Sequence, residues 1–290
     1  MAKTRWDKSR ISAITDEIGK TPEESIAFAH KYGLTNVEIR NQPGGKEYYT
    51  LPEAVIKADA LRFQQEGLKV SFVNTGMLKF TLPGTEPVRR RPETPEAKEK
   101  RLNNEKARWD KRMEDLHAAI RCAQIMGCDK VRVFTGTRIE NPQSVYGKIA
   151  ETIGSEMAPV AEKEKVYLLI ENEGSQNVAT AAELNEILKL IPSKWVGCNW
   201  DPHNAYGKEA AYPEGYKALP LKRVLNIQVK GKGIMPNSPE KEDWKTIMEA
   251  LDKDGYKGKI GLETHIFDGT LIAAAHVSME EIMRIVSELS

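Results

Sequence analysis

The sequence predicts a closed (β/α)8 barrel, and three observations predict it. Short β-rich runs alternate with longer helical runs eight times along 290 residues. The last four of those β-rich runs each end in an oxygen-bearing side chain, as strands of a barrel do when a site sits at their C-terminal mouth. No GxGxxG follows the first strand, which weakens the rival open, doubly wound sheet. A chain of this length suits one barrel domain spanning residues 1–290.

The strands are expected at 11–15, 36–40, 69–74, 130–134, 166–171, 196–201, 224–230 and 259–265. Thr21-Pro22-Glu23-Glu24 supplies an N-cap, a proline at the first helical position and a glutamate at the third, and Gly33 suits the helix end. Further helical stretches are read at 52–65, 96–126 and 147–163. Ser278-Met279-Glu280-Glu281 reads as another capping box, opening the last amphipathic helix.

Composition excludes several classes. Hydrophobic residues are 40% and charged residues 29%, enough for a globular core. A net charge of +1 gives no field toward nucleic acid or an anionic membrane. No stretch approaches the roughly 20 apolar residues that cross a bilayer, and the opening MAKTRWDKSR lacks the apolar core of a secretory signal. Cys122, Cys128 and Cys198 form no CxxC and read as reduced thiols, the first two in the core, so the expected location is cytoplasmic. The run Arg89-Arg90-Arg91 is followed by Glu93, Glu96 and Glu99 and reads as a solvated surface segment rather than a phosphate clamp.

The chemistry is concentrated at the last four strand ends. Glu171, Asp201, Gln228 and Glu263 stand 30, 27 and 35 residues apart, about one strand-helix unit each. Side chains alternate along a strand. Asp201 therefore shares a face with Asn199 and His203, Gln228 with Asn226 and Lys230, and Glu263 with His265. The opposite faces carry Leu168, Ile170, Ile227, Val229, Ile260 and Leu262, which suit packing against helices, and Trp200 belongs with them. Three carboxylates converging on one mouth repel each other, and one divalent cation removes that penalty. An oxygen-rich set suits Mn²⁺ or Mg²⁺, with Zn²⁺ or Co²⁺ as alternatives.

Nearly the whole chain resembles the xylose isomerase-like barrel family of sugar-phosphate isomerases and epimerases, which includes ketose 3-epimerases, inosose dehydratase and endonuclease IV. The likeness runs through ITDEIG, YGLTNVEIR and MGCDKVRVFTG, and it is clearest in LLIENEG, NWDPHNAYG, VLNIQVKG and GLETH. The resemblance implies that Glu171, Asp201 and Glu263 are metal ligands and that Glu171 and Glu263 also exchange the substrate proton. The family's fourth ligand is usually a histidine in a motif like H-V-K-D. Here Gln228-Val229-Lys230-Gly231 stands there, so the implied site is all-oxygen.

The implied reaction is metal-dependent isomerisation or epimerisation of a keto-sugar or related polyol, by proton abstraction beside a carbonyl. Elimination from a keto-inositol or 3-keto-glycoside starts in the same way and stays open. So does a sugar-binding barrel without catalysis. The endonuclease reading is disfavoured by five histidines in all, of which His30 and His117 fall in helical stretches. His203 and His265 face the mouth and are candidates for binding sugar hydroxyls. Lys230 is a candidate for neutralising an enolate oxygen, or for a buried salt bridge to Asp201 or Glu263. Glu38 and Arg40, on one face of the second strand, are candidates for substrate contact or an interior ion pair. The partner is then a small-molecule sugar, not nucleic acid or membrane, with self-association left open. Segments 41–51, 75–95, 202–213 and 231–241 are long and rich in Gly, Pro and polar residues, and are expected to rim the pocket.

Overall fold

Eight parallel strands build the barrel: β1 (Ile11–Ala13), β2 (Asn36–Ile39), β3 (Lys69–Val73), β4 (Lys130–Val133), β5 (Tyr167–Glu171), β6 (Val196–Trp200), β7 (Val224–Lys230) and β8 (Lys259–Glu263). They are hydrogen-bonded in the order β1-β8-β7-β6-β5-β4-β3-β2. A parallel bridge between Ile14 and Glu38 joins the two ends. The structure is a computed structural model. It describes residues 6–88 and 92–290, so the basic run 89–91 lies outside the described residues.

Strand alternation sets the two faces as expected. Leu168, Ile170, Ile227, Val229, Ile260 and Leu262 are buried in the apolar layer between barrel and helices, together with Trp200, Cys122, Cys128 and Cys198. A fully buried Leu or Ile side chain contributes roughly 1.5–3 kcal/mol. That layer fixes strand register: a slip by one residue would turn Glu171 and Glu263 outward into it.

The helices follow local chemistry. The Thr21 hydroxyl accepts from the Glu24 amide at 3.2 Å, Pro22 opens the helix Pro22–Tyr32, and Gly33 closes it at φ 68°. The long helix expected over 96–126 is two helices, Pro95–Asp110 and Arg112–Ile125, meeting at Lys111. The first buries none of its residues, in keeping with its dense charge. The stretch expected over 147–163 is helical but widened: Tyr146–Ala150 passes through a π-helical section, Glu151–Met157, into Ala158–Glu164. Pro159 has no N–H to give the carbonyl four residues back and its ring crowds that carbonyl, a known cause of such widening.

The capping box at Ser278 is a correction. The last helix spans Leu271–Leu289 and begins after Thr270. Ser278 lies inside it, fully buried, with its hydroxyl donating to the Ala274 carbonyl at 2.7 Å. Leu271-Ile272-Ala273-Ala274-Ala275 is itself strongly helix-forming, so the helix runs back through the motif. Among the described residues no helix is long and apolar enough to cross a membrane.

Candidate functional site

Glu171 ends β5, Asp201 follows β6 and Glu263 ends β8. All three are buried, and one carboxylate oxygen from each lies within 4.8 Å of the others. Backbone pairing brings them there. Asn172 clamps the Asp201 backbone, accepting from its N–H at 2.9 Å and donating to its carbonyl at 2.7 Å. Asp201 then caps the short turn Pro202–Ala205, accepting from the Asn204 amide at 3.1 Å.

Three cations are threaded among the acids. Lys230 donates to Glu263 Oε2 at 2.6 Å and lies 3.3 Å from Asp201 Oδ2. Arg132 donates to Glu171 Oε2 at 3.0 Å. Arg40 reaches Glu263 at 3.0 Å, Asp16 at 2.8 Å and Glu17 at 2.7 Å. Asn199 adds a 2.5 Å bond to Glu171. Sequence reasoning missed Arg132, Asp16 and Glu17, and it placed Asn199 on the face of Asp201 without giving it a role; Asp16 and Glu17 lie in the segment after β1. A signal existed for Arg132, since an arginine two residues before Phe134 breaks the apolar run Val131-Arg132-Val133-Phe134 on the inward face.

Burial pushes the Asp201 carboxyl up to about 7, and the charges of Glu171 and Glu263 add to that while Lys230 opposes it. Burial acts the same way on Glu263, but Lys230, His265, Arg40 and Arg132 overcome it and hold this carboxyl well below the usual range. Lys230 is raised against its own burial by Glu263, Asp201 and Glu171.

The donor set fits a divalent cation on two counts. In the linked group of Asp16, Glu17, Glu171, Asp201, Glu263, Arg40, Arg132, Lys230 and His265, five acids face three permanent cations and an imidazole raised to about 9, so the acids are in excess by one. Among the described residues, Gln228 Oε1 is a buried acceptor with no hydrogen-bond donor, and Asp201 Oδ2 has only the Lys230 ammonium at 3.3 Å, an arrangement that a metal ion satisfies.

Gln228 sits on the inward face of β7, paired in register with Gly261, two residues before Lys230, which pairs with Glu263. Its amide nitrogen donates to Glu38 at 2.6 Å. Glu38 is fully buried and lies within the barrel rather than on the pocket wall. Burial raises its pKa, while Asn74, Ser12, Gln228 and Asn226 oppose the rise by hydrogen bonding.

His203 and His265 both line a cavity of about 550 Å³ at the mouth, with Asn204, Lys230 and Phe267. His203 pairs with Glu240 at 3.1 Å and stacks on Tyr206. Burial lowers its pKa, but the Glu242 carboxylate 3.6 Å from Nδ1 prevails and the net shift is upward. His265 follows β8 in the left-handed region at φ 51°, and its backbone N–H donates to Glu17 at 2.7 Å. The Glu17 and Glu263 side chains raise its imidazole to about 9. Phe267 packs edge-on to His265 yet is 80% exposed. A larger cavity, about 790 Å³, opens among Asn36, Lys69, Lys130 and Lys259 at the strand starts; neither cavity is lined by Glu171, Asp201 or Glu263, and the mouth cavity reaches Asp201 and Glu263 through Lys230.

Fold and site together define a (β/α)8 barrel with an acidic, cation-competent mouth. The xylose isomerase-like TIM barrel model matches residues 26–285, and the chain belongs to that family. Solved structures share the fold. The IOLI protein with a bound zinc atom aligns at TM-score 0.69 and 15% identity, covering 97% of this chain and 99% of that one. L-ribulose 3-epimerase aligns at 0.67 and 15%, covering 97% and 95%. The probable 3-DHS dehydratase AsbF from Bacillus anthracis aligns at 0.65 and 12%, covering 94% and 98%. No curated protein matches the chain in sequence.

Proposed function

We propose that the chain is a divalent-metal-dependent isomerase or epimerase that removes and returns a proton beside the carbonyl of a keto-sugar or related polyol. The observation that carries this reading is the convergence of Glu171, Asp201 and Glu263, with ligand oxygens within 4.8 Å of one another at the C-terminal mouth. Those three carboxylates and the Gln228 amide oxygen would hold the cation, and the all-oxygen set favours Mn²⁺ or Mg²⁺ over Zn²⁺ or Co²⁺. When bound, the cation supplies Lewis acidity that makes the C–H beside a carbonyl removable.

This chain's residues do the rest. Glu171 and Glu263 come from opposite sides of the cluster, on β5 and β8, and exchange the proton on the two faces of the sugar. Lys230, His265 and Arg40 keep Glu263 ionised, which leaves it able to accept a proton but a weak base, so the C–H must be strongly acidified by the cation. Lys230 also offers an ammonium to developing enolate charge. His203, Asn204 and His265 meet sugar hydroxyls in a cavity of about 550 Å³, within the ordinary size of a small-molecule site. Three buried free thiols support action in a reducing cytoplasm.

Elimination is the second reading, favoured by the fold shared with a probable dehydratase at TM-score 0.65 and by the common first step. The test is solvent deuterium incorporation into keto-sugars, keto-inositols and 3-keto-glycosides by metal-loaded protein, with product analysis separating epimer from enone. Glu263→Gln keeps an oxygen ligand and loses the base, so exchange should fall about 10²–10⁴-fold. Full exchange in that variant removes Glu263 from the chemistry. No exchange by the unaltered protein with any of the four metals leaves a sugar-binding barrel.

A further inference from the structure

Glu38 is a charged side chain at 0% exposure in the middle of a barrel. Its Oε1 accepts from Ser12 Oγ at 2.7 Å and Asn226 Nδ2 at 3.2 Å. Its Oε2 accepts from Asn74 Nδ2 at 2.9 Å and Gln228 Nε2 at 2.6 Å. With two donors on each oxygen and no exposed surface, it has nothing left for a substrate.

The chain makes room for it. β8 carries Gly261 opposite Gln228, and a Cβ at 261 would come within 2.0 Å of Glu38 Oε1. An apolar side chain at 38 would fill the same space without an ion to desolvate, so the carboxylate needs a reason to be there. Its effect on Gln228 supplies one. A side-chain amide has one accepting and one donating branch, and a carboxylate only accepts. Facing Glu38, Gln228 must turn its NH₂ inward. That leaves Oε1 buried and without a donor among the described residues, as are the side-chain oxygens of Asn74 and Asn226, whose NH₂ groups also face Glu38. An amide turned the other way would present N–H groups where a cation needs a lone pair.

We propose that Glu38 is a positioning residue that fixes the sense of the Gln228 amide, so that its oxygen and not its nitrogen faces the cation. The proposal rests on the reading of the mouth as a cation site. It requires no contact between Glu38 and substrate.

Two measurements test it. The first is Mn²⁺ affinity by calorimetry, with folding followed by circular dichroism. Glu38→Gln can either donate or accept toward Gln228, so the amide loses its fixed sense, and affinity should fall about 10–100-fold, the usual effect of losing a ligand's supporting partner. The exchanged pair Glu38→Gln/Gln228→Glu should restore it to within about threefold. A carboxylate at 228 has oxygen on both branches and receives a hydrogen bond from the new amide. Because Gln228→Glu also adds a charge, the rescue counts only where the exchanged pair binds more tightly than Gln228→Glu alone. A folded Glu38→Gln with unchanged affinity overturns the proposal, as does an exchanged pair that stays as weak as either single variant.

The second measurement uses the unaltered chain and is immune to misfolding of variants. The Gln228 side-chain NH₂ resonances, assigned by their loss in Gln228→Glu, should stay protected from solvent exchange when Mg²⁺ is added. Loss of protection would mean the amide has turned, against the proposal. If the unaltered protein binds none of Mn²⁺, Mg²⁺, Zn²⁺ or Co²⁺, the cation-site reading fails and this inference falls with it. Failure of the variants alone leaves that reading standing.

Discussion

Lys230 donates to Glu263 across 2.6 Å, and both residues are buried. The same ammonium stands 3.3 Å from Asp201, so one lysine serves two of the three converging carboxylates. Lys230→Met therefore removes the partner of a buried acid pair. Breaking a buried ion pair from one side costs about 3–5 kcal/mol. We expect a lower melting temperature for Lys230→Met in metal-free buffer. Much of the loss should return on saturation with Mn²⁺, because a cation bound to the folded state restores the missing charge and stabilises by mass action. An unchanged melting temperature, or a loss that Mn²⁺ does not touch, would show that Lys230 does not balance the carboxylates.

Metal preference should follow residue 228. Gln228→His exchanges an amide oxygen for an imidazole nitrogen, which Zn²⁺ and Co²⁺ favour over Mg²⁺. Competition calorimetry should show the order of affinities moving toward Zn²⁺ and Co²⁺, with turnover retained in part. An order identical to that of the unaltered chain would take Gln228 out of the coordination shell.

Substrate should protect the loops above the strand ends. The described residues of 41–51, 75–95, 202–213 and 231–241 are expected to exchange amide hydrogen more slowly when a sugar is bound, and the turn carrying Phe267 should join them. His203 and Phe267 already line the mouth cavity. Unchanged exchange in all five segments on saturation with a sugar substrate would place the ligand elsewhere.

Most of the architecture was legible because periodicity carries it. The bounds read for β7 and those in the structure coincide, and Thr21 and Gly33 begin and end their helix as their chemistry requires. The Ser278 motif misled because a capping box is a local pattern, and the apolar run before it extended the helix across it. Glu171, Asp201 and Glu263 could be found by spacing, since one strand-helix unit separates neighbours on adjacent strands. Arg132, Asp16 and Glu17 could not be found that way. They meet the site through β4 and through the segment after β1, far off in sequence, and only closure of the barrel brings them in. Glu38 was legible as an inward residue of β2 but not as a fully enclosed one, because depth along the barrel axis leaves no periodic trace.

The polar plug beneath the mouth has a consequence for how such chains can change over generations. Ser12, Glu38, Asn74, Asn226 and Gln228 come from β1, β2, β7 and the end of β3, and each bonds to the same carboxylate or is that carboxylate. Replacing Ser12, Asn74 or Asn226 by an apolar residue would take a donor from Glu38 in a place without water, so such changes are expected to be costly. Position 228 alone has latitude. An imidazole there could donate one ring N–H to Glu38 and turn its other nitrogen outward, just as the amide turns its oxygen. If the mouth holds a cation as proposed, the plug would dictate polarity and leave the donor element free, and the choice of metal could change by a single codon while the interior beneath it stays untouched.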